Sequence, residues 1–317
     1  MSVPRALVLR ALGLGDLLTG VPALRALRRG LPDHRITLAA PRALEPLALL
    51  SGAVDEVVHS VELAPLPPVD GVDVAVDLHG CDPASHDLLR PSRPRRLLAF
   101  AHPDSPDIDG PPWDPEEREV RRWCRLVSWY GFPADPGDLD LPPPPCASPA
   151  PGAVVVHPGA AFPSRRWPPE RFAAVAAALR DDGHRVVVTG GPDETALARR
   201  VVEGAGLDPD ADLSGRTGPL ELAALIREAR LVVCGDTGTG HLATAYRTPS
   251  VLLFGPTPPA WWGPPPGRTR HRVLWAGRRG DPHGRVPDPG LLAIPAAVVT
   301  DTARRTLALH HNSLETT

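Results

Sequence analysis

The 317-residue chain contains no lysine, so all 34 of its cationic residues are arginine. A Walker-type phosphate loop, which needs a lysine, is thereby excluded. Any cation the chemistry requires must be a guanidinium, a planar fork rather than a point charge. Cysteine is scarce as well: Cys81, Cys124, Cys146 and Cys234 show no C-x-x-C spacing, which argues against a disulfide framework and a structural metal and for a reducing compartment. No run of about 18 apolar residues is present to span a bilayer. The N-terminal residues resemble a signal peptide in outline, but Arg10 and Asp16 interrupt the apolar stretch. The segment therefore reads as the first strand of a cytoplasmic protein. A basic stripe is missing too: the net charge is −3, and no arginine run matches what a nucleic-acid backbone demands, which removes nucleic acid as a partner.

What is present is an alternation. Apolar, β-branched runs occur at 6–10 (ALVLR), 35–40 (RITLAA), 55–60 (DEVVHS) and 72–80 (VDVAVDLHG), then at 153–159 (AVVVHPG), 185–191 (RVVVTGG), 231–238 (LVVCGDTG) and 250–257 (SVLLFGPT). Helical patterns separate them, at Pro22 to Arg29, Pro168 to Arg180 with Phe172, Val175 and Leu179 on one face, and Leu220 to Ala229. Such alternation predicts an α/β protein built on parallel sheets covered on both faces. The length suits two domains of roughly 150 residues each. Between the two series, residues 134–152 carry four consecutive prolines, which fit neither a helix nor a central strand and mark a linker. The expected division is a first domain over 1–140, a linker over 141–152 and a second domain over 153–295. Proline, at 42 residues, otherwise gathers in 256–295, leaving the strand runs intact. A last amphipathic helix is expected over 296–312, with Val299, Ala303 and Leu307 on one face.

Three motifs carry chemistry. Gly13-Leu14-Gly15 begins like a dinucleotide fingerprint, but Leu18 stands where the third glycine belongs, and an acid, Asp16, sits inside the turn rather than about 20 residues later. In residues 154–172 a strand ends at His157-Pro158-Gly159, and Arg165, Arg166 and Trp167 precede a helix. Two guanidiniums beside a strand's carboxyl end suit a diphosphate; the plain alternative is a solvated arginine pair with Trp167 in a helix–sheet seam. In residues 231–259 a buried strand runs into Asp236, Thr237, Gly238, Thr239 and Gly240, whose backbone N–H groups can converge on an anion at a helix start. Asp236 is either a helix cap or an acceptor for sugar hydroxyls, and His241 beside it either a structural histidine or a donor-sugar contact. Two further turns lie on the ligand-binding edge: Asp77 and His79, and Gly190 with Glu194, which could reach a ribose or simply cap a turn.

Together these residues resemble glycosyltransferase family 9, the heptosyltransferase family, through LGLGDLLTGVPAL at 12–24, HPGA followed by RRWP in the middle, and GDTGTGHLA followed by LFGPT. The resemblance implies a GT-B fold, two Rossmann-like domains facing across a cleft, with the last helix packing back on the first domain. It implies a nucleoside-diphosphate sugar as co-substrate, ADP-heptose being the family's usual one; the sequence carries no carboxylate pair at metal spacing, so no cofactor or metal is expected. Arg165, Arg166 and Thr237 to Gly240 would hold the donor diphosphate, Asp236 and His241 the donor sugar, Gly190 and Glu194 the nucleoside. Gly13, Gly15 and His79 would line the acceptor side. Asp16, at the family's general-base position, would take the acceptor proton in an inverting transfer to a glycan, lipid-linked or small-molecule acceptor. Arg165 departs from the family's usual lysine, and residues 278–290 match no part of its pattern. A cytoplasmic monomer touching the inner membrane face is expected. Two rivals stand beside this reading: a sugar-nucleotide epimerase, which shares the two-domain architecture but needs its acid/base groups around the donor sugar, and a non-catalytic nucleotide-sugar-binding protein.

Overall fold

The computed structural model describes residues 3–311. The chain divides into two compact units, with the boundary between Pro142 and Pro143, inside the proline run.

The first unit contains β1 (Arg5–Leu9), α1 (Leu14–Gly30), β2 (Arg35–Ala40), α2 (Glu45–Leu50), β3 (Glu56–His59), β4 (Val72–Asp77), α3 (Pro83–Leu89), β5 (Arg96–Leu98) and α4 (Glu119–Trp129). Its strands pair in the order β3-β2-β1-β4-β5, all parallel. Buried on both faces, they read as nearly unbroken apolar runs. α1 begins eight residues before Pro22 and runs through it, because buried Leu17, Leu18, Val21, Leu24 and Leu27 outweigh the one backbone bond the proline forgoes. α4 packs on α1. The β3–β4 connection has no helix, as Pro65, Pro67 and Pro68 dictate.

The second unit contains β6 (Val154–His157), α5 (Pro169–Asp181), β7 (Val186–Val188), α6 (Thr195–Gly204), α7 (Pro219–Glu228), β8 (Leu231–Gly235), α8 (Gly238–Ala245), β9 (Ser250–Phe254), α9 (Pro259–Trp262), β10 (His271–Trp275), α10 (Pro289–Leu292) and α11 (Ala296–His311). The order is β10-β9-β8-β6-β7, again all parallel. Phe172, Val175 and Leu179 of α5 lie in its core. Trp167 is buried in the helix–sheet seam, edge-on to Phe172 at 4.9 Å, its indole N–H donating to the Ile294 carbonyl at 3.1 Å.

α11 departs from expectation. Val299, Ala303 and Leu307 pack into the core of the second unit, against α5 and the β8–β9–β10 side of its sheet, rather than on the first. An amphipathic stripe specifies that a face is buried but not which surface buries it. Residue 312, where the expected range ended, lies outside the described residues.

Candidate functional site

Each sheet reverses its strand order once, β1 lying between β2 and β4, and β8 and β6 meeting in the second unit. Parallel sheets bind ligands beyond the carboxyl ends of strands at such reversals, where neighbouring loops splay apart.

In the first unit the loops after β1 and β4 meet there around Arg10. This guanidinium is wholly buried. It donates from Nε to the Asp16 carbonyl, from Nη1 to the Leu78 carbonyl, and from Nη2 to Thr19 Oγ1 at 3.0 Å and Glu119 Oε1 at 3.2 Å. The Trp123 ring stacks on it at 4.7 Å. The Asp16 carboxylate stands on the first turn of α1 with a quarter of its side chain exposed, accepting from the Gly13 N–H at 3.1 Å and 3.8 Å from Arg10 Nη2. Gly13 is the N-cap of α1, and a methyl group there would meet only Asp16 Oδ2, at 3.5 Å. Gly15, second residue of α1, is partly exposed.

Asp77, at the end of β4, is fully buried. It accepts from the His79 N–H at 2.8 Å and from the Ser85 hydroxyl, and lies 3.6 Å from His86 Nε2. Burial pushes its carboxyl up to about 6, against the opposing pull of these donors and of Arg10. Burial and the Arg10 cation together push the half-buried His79 down to about 4, so its ring is neutral near pH 7. Asp77 is thus the organiser of the turn that carries His79.

In the second unit, loops after β6, β7 and β8 converge on the corresponding edge. The Arg165 carbonyl lies against Gly235, where an added methyl would come within 3.1 Å of it. Arg165 Nε is buried with no hydrogen-bond partner among the described residues, and its guanidinium sits 5.3 Å from the Phe162 ring. Arg166 differs: its Nε donates to the Ala160 carbonyl at 2.8 Å and so braces the loop. Thr237 is the extended N-cap of α8, and Gly238 and Thr239 are its first residues, whose N–H groups a helix leaves unpaired. Gly240 has a packing reason as well, since a side chain there would press on Leu252 at 3.1 Å. Asp236, Thr237, Gly240 and His241 line one pocket, with Trp262 edge-on to His241 at 6.0 Å. Glu194 accepts from the Gly191 N–H at 2.8 Å and stands 3.9 Å from His157 Nε2, while Gly190 and Gly159 are tight against it. Burial keeps His157, whose Nδ1 meets Thr189 Oγ1 at 3.0 Å, below the usual imidazole range.

Two features escape sequence reasoning. Arg10 is one, although a charge inside an apolar strand run is itself a signal of a buried, partnered cation. The other is the segment 278–290, which borders the Arg165 turn: Ser164 N–H donates to the Gly284 carbonyl and Asp288 N–H to the Ser164 carbonyl, each at 3.1 Å, and His283 packs edge-on against Phe162 at 4.6 Å. Among the described residues, no group of three or more His, Cys, Asp or Glu side chains is placed to hold a metal ion, and no helix is long and apolar enough to cross a membrane.

Residues 144–285 match the family model Glycosyltransferase family 9 (heptosyltransferase), which bears out the resemblance over the second unit. The chain is similar to lipopolysaccharide heptosyltransferase 3 of Escherichia coli K12, 37% identical over 113 residues that cover 35% of this chain and 33% of that protein. It is similar also to lipopolysaccharide heptosyltransferase 1 of Pseudomonas aeruginosa PAO1, 33% identical over 141 residues, 42% and 38% of the two chains. These matches span about a third of the curated relatives' length. Over nearly the whole chain the structure resembles E. coli ADP-heptose lipopolysaccharide heptosyltransferase II, with TM-score 0.77, 20% identity, and 97% and 99% of the two chains covered. A glycosyltransferase family 9 protein of Veillonella parvula gives TM-score 0.75 with the same identity and coverage. The fold is therefore GT-B, with one Rossmann-like domain in each unit.

Proposed function

We propose, from the premise that residues 144–285 form a glycosyltransferase family 9 domain, that the chain is an inverting, metal-independent glycosyltransferase. It moves heptose or a related sugar from a nucleoside-diphosphate sugar to a hydroxyl of a cell-envelope glycan, in the cytoplasm or at the inner membrane face. ADP-heptose is the donor to try first, because that nucleotide sugar and lipopolysaccharide appear in the names of the proteins this chain resembles.

One observation carries the reading. The buried Nε of Arg165, with no hydrogen-bond partner among the described residues, belongs to a turn packed on Gly235, three residues before the N-terminus of α8. A guanidinium and a helix start together suit a diphosphate, and they stabilise it most as negative charge grows on the leaving oxygen. Asp236 and His241, in the pocket at the same helix start, would hold the sugar, and Glu194 the ribose.

Asp16 supplies the other half. As the acceptor oxygen bonds to the anomeric carbon, the carbon–oxygen bond to the diphosphate breaks and its electron pair leaves with the nucleotide. The hydroxyl proton passes to the Asp16 carboxylate. Attack opposite the leaving group inverts the anomeric centre. Gly13, which meets little beside Asp16 Oδ2, and Gly15 would leave room for the acceptor, with His79 on the neighbouring turn.

The test is ADP release from ADP-heptose with heptose-deficient lipopolysaccharide core as acceptor, alongside a panel of other nucleotide sugars. Asp16→Asn is expected to keep ADP affinity and lose at least about 10²-fold in turnover. Turnover retained in that variant overturns the assignment of Asp16. Conversion of the nucleotide sugar without free nucleotide would instead favour the epimerase.

A further inference from the structure

The Arg10 side chain lies against a glycine in the middle of α1. Gly20 lies in the interior of α1, where glycine is a poor choice on conformational grounds. The reason is spatial: a methyl group at Gly20 would come within 2.9 Å of Arg10 Cδ and 3.0 Å of Nε. The arginine cannot swing aside to admit it, because the far end of the side chain is fixed on the Asp16 and Leu78 carbonyls, Thr19 and Glu119. The glycine is therefore the seat of the guanidinium.

We infer that Arg10, seated on Gly20, is a positioning residue that holds the Asp16 carboxylate in register for proton transfer. The inference rests on the proposed role of Asp16 and adds to it the part that keeps that carboxylate in place. Arg10 grips the backbone of residue 16 through its carbonyl and faces the side chain at 3.8 Å, so the turn and the carboxylate are held by one group. Its second carboxylate, Glu119, is nearly inaccessible and is itself held by Arg122 and by the Trp123 indole N–H at 2.7 Å. When Asp16 takes the acceptor proton and becomes neutral, Glu119 remains as the counter-charge of Arg10. The cation is not stranded in a low-dielectric interior at the moment of reaction. The Leu78 contact also ties the His79 turn to the same anchor.

Gly20→Ala tests this without altering either charged group. A purely structural helix position would gain stability from the substitution and leave turnover alone. The expected result is a fall in kcat on the order of 10²-fold, the usual cost of misplacing a catalytic group by about 1 Å, with KM for ADP-heptose and Kd for ADP unchanged. Arg10→Lys keeps the charge but cannot span four acceptors. It is expected to lower kcat at unchanged ADP affinity, which keeps the test decisive should Gly20→Ala not fold. In the double variant the unforked lysine can bend away from the new methyl group, so Gly20→Ala is expected to cost less than about threefold in that background, a coupling a remote structural effect does not produce. Wild-type kcat in either single variant, or the same Gly20→Ala loss in both backgrounds, overturns the inference. Asp16→Asn run in parallel separates the two claims: if it alone is slow, Asp16 is the base and Arg10 does not position it, whereas wild-type turnover in Asp16→Asn removes the premise.

Discussion

Asp77→Asn isolates the cost of a buried carboxylate. Asp77 binds its proton more tightly in the folded chain, at about 6, than at its ordinary 3.8. That proton's contribution to stability is complete below pH 3.8, is lost as the pH rises toward about 6, and is replaced above it by the full penalty of a buried anion. A shift of this size, at 1.36 kcal/mol for each unit, makes the penalty about 3 kcal/mol. The substituted amide cannot ionise, and its oxygen can still accept from the His79 N–H. Relative to wild type, the variant is therefore expected to gain about 3 kcal/mol as the pH climbs through this window. His79 and His86 are both held below the usual imidazole range by burial, so their protonation destabilises the folded state at low pH. Both remain in the variant, and to first order they cancel in the difference. Because a two-unit chain need not unfold in one step, the measurement is amide exchange in peptides spanning residues 72–89, corrected for intrinsic rates at each pH. A difference between the two proteins that stays flat from about pH 4 to about pH 7 refutes the reasoning.

Two more expectations follow from the second unit. Arg165→Ala removes a charge-assisted donor and is expected to weaken ADP about 10- to 100-fold by calorimetry; unchanged affinity would place the diphosphate elsewhere. Leu307→Ala is expected to cost about 2–5 kcal/mol and to loosen exchange in α5 and β9, which unaltered protection there would contradict.

Eight of the ten strands among the described residues are visible as apolar, β-branched runs, since both faces of a parallel sheet are buried and no polar alternation intervenes. The other two are hidden for physical reasons. β5 is only three residues, Arg96–Leu98, and β10 is an edge strand in which Arg272 and the exposed Val273 and Trp275 blur the apolar signal. Pro22 reads as a helix start because proline favours the first turn, yet Leu17 and Leu18 are core residues of the same helix. The candidate site is legible where glycines and charges cluster within one turn, as at 13–16 and 235–241. It is illegible where partners are far apart in sequence. Nothing local ties Arg10 to Glu119, 109 positions away, or Ser164 to Gly284. Gly20 looks like an ordinary small residue until the side chain above it is known.

The margins of both sheets are brief: β3 has four residues, β5 and β7 three each, and β10 five with Arg272 exposed. A short or charged border offers few consecutive unpaired amides for a stranger's backbone to copy. Insertions that lengthened any of these borders would be expected to invite fibre-like growth before they disturbed either interior.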